Sequence, residues 1–225
     1  MTKTAYHFLR SDMRAGHGNE KWKEGQERTY KGTAPIRLCE AGYHSSPTLF
    51  DALHYAPGVV ACIVEISAPV EQDESKYVSA TRKLIKAVNV ERELRLFACA
   101  CAERALQRER DNGREPDEHS WAAITTARKF ANGEATVEEL AAAYAAANAA
   151  ATGSANANAY AAYAAAYAVA TGSANAAASG SANAAASGSA HANAANAANA
   201  RKAEVEWQRR TFDQIVLPAL TGVAV

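Results

Sequence analysis

The sequence predicts an α+β fold. A small mixed α/β unit over residues 1–75 is followed, over residues 76–225, by a mainly α-helical region built on an alanine-rich repeat scaffold. Three observations carry this reading. Short β-branched runs bounded by turn residues are confined to the first third of the chain. Beyond it, apolar residues recur at three- and four-residue spacing. Finally, residues 141–200 hold 34 alanines and no Asp, Glu, Lys or Arg.

In the first unit, Tyr6 to Leu9 and Ile36 to Cys39 read as short strands. The strongest strand signal is Val59-Val-Ala-Cys-Ile-Val-Glu-Ile66, which follows Pro57-Gly58 and stops before Pro69. Thr48 to Tyr55 reads as one helix with Leu49, Leu53 and Ala56 on a common side, and Pro47 is placed just inside its start. From about Ser75 the pattern becomes helical, beginning with a segment that holds Leu84, Ile85, Val88 and Val90. A longer helix runs from Glu91 to about Arg110, with an apolar stripe through Leu94, Phe97, Ala98, Cys101 and Leu106. Asp111-Asn-Gly-Arg-Glu-Pro116 breaks it, and Asp117 or Ser120 caps the next helix, which carries Trp121, Ile124, Ala127 and Phe130 to Asn132-Gly133. Thr136-Val-Glu-Glu139 has the spacing of a capping box. The last helix spans Arg201 to Leu220, with Val205, Phe212, Ile215, Val216 and Leu220 on its apolar side, packing back on Leu94 to Phe130.

The intervening tract is periodic. Thr152-Gly-Ser-Ala-Asn-Ala-Asn-Ala, Thr171-Gly-Ser-Ala-Asn-Ala-Ala-Ala, Ser179-Gly-Ser-Ala-Asn-Ala-Ala-Ala and Ser187-Gly-Ser-Ala-His-Ala-Asn-Ala are copies of one octapeptide. Alanine is the strongest helix former, and Tyr160, Tyr163 and Tyr167 fall on one helical face. Two architectures fit: a series of short stacked helices, or one or two long ones. Asn148, Asn156, Asn175, Asn183 and His191 are then either polar links between helices or a solvent face.

With 24 basic and 24 acidic side chains, the chain has a formal charge of zero. That speaks against broad electrostatic capture of nucleic acid or of an anionic membrane. The alanine tract is too weakly hydrophobic for a membrane span, and the N-terminal residues lack a signal-peptide core, so a cytoplasmic location is expected. Cys39, Cys62, Cys99 and Cys101 suggest no disulfide framework and read as buried structural residues of a reducing compartment. No spacing suggests a metal site, a phosphate-binding glycine loop or a hydrolase elbow, and the sequence names no cofactor.

Unusual polar residues concentrate in the first unit. His7 follows Tyr6 in a short strand, Cys39-Glu-Ala-Gly-Tyr-His44-Ser-Ser is a turn rich in hydrogen-bonding side chains, and Glu65 interrupts the apolar strand. The order Tyr6-His7, Gly42-Tyr43-His44-Ser45-Ser46, a short helix through Ala52 and Tyr55, and then Ala61-Cys-Ile-Val-Glu65-Ile resembles the layout of small ADP-ribosyltransferase-like folds. In that family a strand histidine holds the nicotinamide ribose, a tyrosine stacks on the nicotinamide and a glutamate promotes transfer. The resemblance implies the first two roles for His7 and Tyr43, and the third for Glu65, or for Glu71 or Glu74 in a loop.

A second resemblance spans about two thirds of the chain. Leu94-Arg-Leu-Phe-Ala-Cys-Ala-Cys-Ala-Glu-Arg104 and Ala127-Arg-Lys-Phe-Ala-Asn-Gly-Glu-Ala-Thr-Val-Glu-Glu-Leu-Ala141, with the alanine-rich tail, are similar to helical immunity proteins of bacteriophages and bacteria. The Lys31-Gly to Gly42-Tyr43-His44 segment resembles an uncharacterised domain of phage proteins. These likenesses imply phage origin, hence a host-cell cytoplasm, and an accessory role without catalytic residues. The expected function is non-enzymatic binding of a nucleotide-like small molecule or a host protein, with counter-defence as one form of it. The expected ligand-binding residues are His7, Arg10, Arg37, Tyr43, His44 and Glu65, and phosphates on such a ligand would need arginines such as Arg10, Arg14, Arg37 or Arg82, or helix N-termini. The alternatives are NAD-dependent ADP-ribosyl transfer and a structural module that forms a homo-oligomer through the alanine tract.

Overall fold

The computed structural model describes residues 2–17, 20–113, 115–152 and 194–222. They form a mixed α+β protein in two compact units. One holds Met1–Glu91 and Val216–Val225, the other Arg92–Ile215. The octapeptide repeats, the tyrosines at 160, 163 and 167, and the tract's asparagines and histidine from 156 to 191 lie outside the described residues. So does the oligomerisation reading built on them.

The first unit contains β1 (Thr2–Leu9), β2 (Glu27–Thr29), β3 (Tyr43–Ser45), α1 (Leu49–Leu53), β4 (Val60–Ser67), β5 (Glu71–Gln72), β6 (Tyr77–Ser79) and β7 (Thr81–Asn89). An antiparallel sheet has the order β1-β4-β7-β2, and a smaller one the order β3-β6-β5. Reciprocal backbone hydrogen bonds between Tyr6 and Ser46, 2.9 and 2.8 Å, join β1 to the start of the α1 approach. Central β4 is flanked on both sides, which suits its β-branched run. Its register places His7 opposite Cys62, Val64 opposite Leu84 and Ile66 opposite Arg82. Paired residues on adjacent strands share a face. His7, Cys62, Val64, Leu84 and Arg82 therefore point to the same side, where Ala5, Leu9, Trp22, Ile66 and Tyr77 complete a core.

Thr48 caps α1 by accepting a hydrogen bond from the Asp51 amide, so Pro47 precedes the cap rather than lying inside the helix. Two sequence expectations fail in this unit. Ile36 to Cys39 is a tight turn closed by a two-way Arg37–Ala41 backbone pair, with Cys39 in left-handed conformation at φ 63°. Leu84 to Asn89 is strand instead of helix. Ile63 pairs with Lys86 and Val64 with Leu84, so Ile85 is an extra residue in β7. That bulge puts Leu84, Ile85 and Val88 out of strict alternation and mimics a helical spacing. A last short helix, α6 (Leu217–Thr221), belongs to this unit and closes on Gly222 at φ 76°, whose amide bonds the Pro218 carbonyl.

The second unit holds α2 (Glu91–Asp111, its first residue counted with the first unit), α3 (Glu118–Ala131), α4 (Val137–Thr152) and α5 (Ala194–Ile215). The Asp117 carboxylate caps α3. Thr136 and Glu139 form a reciprocal capping box at α4, with bonds of 2.7 and 3.1 Å. Ala123 packs against Ala143 and Ala147, small side chains that let α3 and α4 approach closely. Phe97 of α2 meets Phe212 of α5 edge to face at 5.2 Å, as the expected return of the last helix requires. Beside them Glu204, fully buried, accepts from the Arg104 guanidinium at 2.8 Å and pairs with Arg108. Gln208 donates to its other oxygen. No helix among the described residues is long and apolar enough to cross a membrane.

Candidate functional site

On the shared face of the main sheet, where Arg82 of β7 meets His44 of β3, the first unit has an open cavity of about 970 Å³. Drug-sized and nucleotide-sized ligands occupy spaces of roughly 300–1,000 Å³. The lining includes His7 from β1, Tyr43 and His44 from β3, Arg28 from β2 and Arg82 from β7. Loops add His17, Tyr30, Cys39 and Lys76.

Gly42 makes the entry to β3 possible. Its φ is 108°, and a Cβ there would lie 2.7 Å from Val78 Cγ2 and 2.9 Å from Ile36 Cγ2. Glycine alone fits both the angle and the space. The Tyr43 that follows packs edge to face on Trp22, ring centroids 5.7 Å apart.

Arg82 occupies a core position. It is 4% exposed, lies over the Trp22 ring at 4.5 Å and the Tyr43 ring at 5.1 Å, and donates to the His44 carbonyl at 2.8 Å. Burial brings its pKa down to about 10, so it stays cationic at neutral pH. Arg28 also lies against Trp22, 4.7 Å from the ring, with its Nε buried and without a hydrogen-bond partner among the described residues. It pairs with Glu20 and donates to the Lys21 carbonyl and to Gln26.

In His7 and His44 the surroundings disfavour the protonated ring. His7 is driven well below its ordinary value by burial, then by the charge of Arg82, then by His44. Its Nε2 is buried with no hydrogen-bond partner among the described residues. His44 is lowered by burial and by Lys76 and Arg82, opposed by a bond to the Gly42 backbone. Its Nε2 accepts the Cys39 amide at 2.9 Å, which fixes the ring. Lys76 Nζ sits 3.2 Å from Cys39 Sγ and 4.0 Å from the centre of the Tyr55 ring.

Of the sequence-derived residues, His7, Tyr43 and His44 line this cavity, and Arg10, Arg37 and Glu65 do not. Arg10 lies 3.8 Å from Asp12 and Arg37 lies 3.9 Å from Glu40, both half exposed. Glu65 pairs with Thr4 on β1, on the opposite face of the sheet from His7. The cavity's cations are Arg28, Arg82 and Lys76. Reading Thr81 to Asn89 as a strand would have set Arg82 on the same face as Leu84 and exposed it as a core cation. Cys39 also departs from expectation, since it is exposed while Cys62, Cys99 and Cys101 are buried. Among the described residues no group of three or more His, Cys, Asp or Glu could hold a metal ion.

Comparison with known families divides the chain much as its architecture does. A domain of unknown function, DUF7666, matches residues 3–96 and so covers the whole cavity. A family described as Imm-5 like putative immunity protein matches residues 87–215, the helices of the second unit. No curated protein and no solved structure matches the chain. Since the helical match takes in more than half of the sequence, this chain belongs to the Imm-5 like putative immunity protein family.

Proposed function

We propose that this is a non-enzymatic accessory protein of an immunity or counter-defence system, which binds a nucleotide-like small molecule through its N-terminal unit. The observation that carries the reading is the single cavity in which His7, Tyr43 and His44 meet, large enough for a nucleotide. The immunity family supports the accessory role and suits the helical unit to a protein partner, the host factor of the system. The neutral overall charge fits a small ligand better than a nucleic acid polymer.

The test is to denature protein purified from producing cells and to analyse the released small molecules by mass spectrometry. A nucleotide or nucleotide derivative near one equivalent supports the reading. Its absence, together with a melting temperature unmoved by a nucleotide panel, overturns it.

NAD-dependent ADP-ribosyl transfer is a second reading, favoured by the presence of His7 and Tyr43 in one cavity. It requires a carboxylate beside them. Glu65 lies on the far face, Glu71 accepts the Leu38 amide, and the acids of the lining are Glu20 and Glu40. Steady consumption of NAD by the purified protein would favour the transferase over simple binding.

A further inference from the structure

Three buried atoms of the cavity lining, His7 Nε2, Arg28 Nε and Ser45 Oγ, have no hydrogen-bond partner among the described residues. Arg82 carries five N–H donors in a planar fork, and one of them is committed, to the His44 carbonyl. No carboxylate pairs with it among the described residues. The guanidinium lies over the Trp22 and Tyr43 rings, so its remaining N–H donors are the ones available to a ligand. Beside it on the same face, His7 Nε2 is one of the atoms without a partner. Buried charges and buried polar atoms are ordinarily paired. Arg28 in the same cluster pairs with Glu20, and buried Glu204 pairs with two guanidiniums, although Arg28 Nε and Arg108 Nη1 are themselves without a partner among the described residues.

The charge around the cavity points the same way. Of its acidic side chains, Glu20 is taken by Arg28 and Glu40 lies nearest Arg37. Among the described residues no carboxylate forms an ion pair with Arg82 or with the Lys76 ammonium; Lys76 feels the charge of nearby Asp73, and its Nζ meets a thiol and an aromatic ring. The half-buried Tyr43 and Tyr30 supply aromatic wall beside these cations. A simple anion would leave most of the 970 Å³ empty.

Resting on the reading of this cavity as a ligand site, we infer that it takes a phosphorylated nucleoside, with a phosphate on the edge of Arg82, Lys76 supplying a second positive charge, and His7 Nε2 hydrogen-bonded to the same ligand. The arginine fork matches two phosphate oxygens at once, and the tyrosines offer the base a stacking surface.

Calorimetric titration of the full-length protein with adenosine, AMP and ADP tests this. ADP binds at least tenfold more tightly than adenosine, and its affinity falls as salt rises. Arg82→Gln weakens ADP at least tenfold while leaving adenosine nearly unchanged. Lys76→Gln, at a half-exposed position that leaves the core intact, weakens ADP several-fold and reports independently should Arg82→Gln fail to fold. Equal affinity for adenosine and ADP, or ADP binding indifferent to both variants, overturns the phosphate assignment and leaves the cavity as a ligand site. Failure of all three compounds to bind overturns the phosphorylated-nucleoside assignment. Only a panel-wide failure, joined to the absence of a co-purified nucleotide, overturns the functional reading as well.

Discussion

His7 shows how the burial of one residue couples stability to pH. Its proton affinity in the fold lies well below the ordinary 6.5, chiefly through burial. In the unfolded chain it protonates as pH falls through about 6.5, while in the native state it does not. The unfolded state then binds more protons, so stability is full above that pH and declines below it, by up to ~1.4 kcal/mol per pH unit for each such group. His44 shifts the same way and adds to the slope. Denaturation midpoints measured between pH 6.5 and 5 should therefore fall in the wild type and fall less steeply in His7→Gln. An identical slope in the two proteins would remove His7 from the account. The thiols give a second check at this scale. Burial pushes Cys62 and Cys101 up to about 12 and Cys99 up to about 11, while Cys39 is exposed. A thiol reagent should modify one cysteine quickly in native protein, and Cys39→Ser should abolish that fast phase. His7, Tyr43 and His44 were legible in the sequence because polar residues of those types stood out among short apolar runs. Arg82 stood out less, as one of four arginines that could meet a phosphate, because Thr81-Arg-Lys83 looks like a solvated edge until the strand register turns Arg82 inward.

Among the elements, β3 and the α2–α5 pair carry the structural argument. Gly42→Ala places a methyl group into Val78 and Ile36 and forces a non-glycine residue to φ 108°. A loss of about 1–3 kcal/mol is expected for strain of this kind. Because Tyr43 and His44 follow directly, ligand binding should weaken with it. Chemical denaturation and calorimetry on the same variant measure both effects. In the helical unit, Glu204→Ala leaves the half-buried Arg104 and Arg108 facing each other without their acid, at a cost of about 3–5 kcal/mol. Helix boundaries here were readable from caps: Asp117, the Thr136–Glu139 box and Gly222 all act as their residue types suggest. Two elements escaped the sequence reading for stated physical reasons. The β7 bulge at Ile85 breaks period-two alternation, and the turn at Cys39 uses a left-handed residue that is not glycine. The buried stripe of α5 runs through Glu204, Gln208 and Phe212, two of them polar, so hydrophobicity alone could not find it.

For the whole molecule, mixed composition at the front and helical periodicity behind translate into two units, with α6 returning from the end of the chain to join the sheet. The sheet unit gathers the polar chemistry and the helical unit carries the immunity-family match. The account's central claim is that the sheet unit's cavity receives a ligand. Histidine-selective NMR of the full-length protein, recorded as ADP is added, addresses it most directly, because the six imidazoles are spread across the chain. The account predicts saturable shifts of the His7 and His44 ring signals, with His119 in the helical unit unchanged. Unmoved His7 and His44 signals at ADP concentrations that saturate the protein would contradict it.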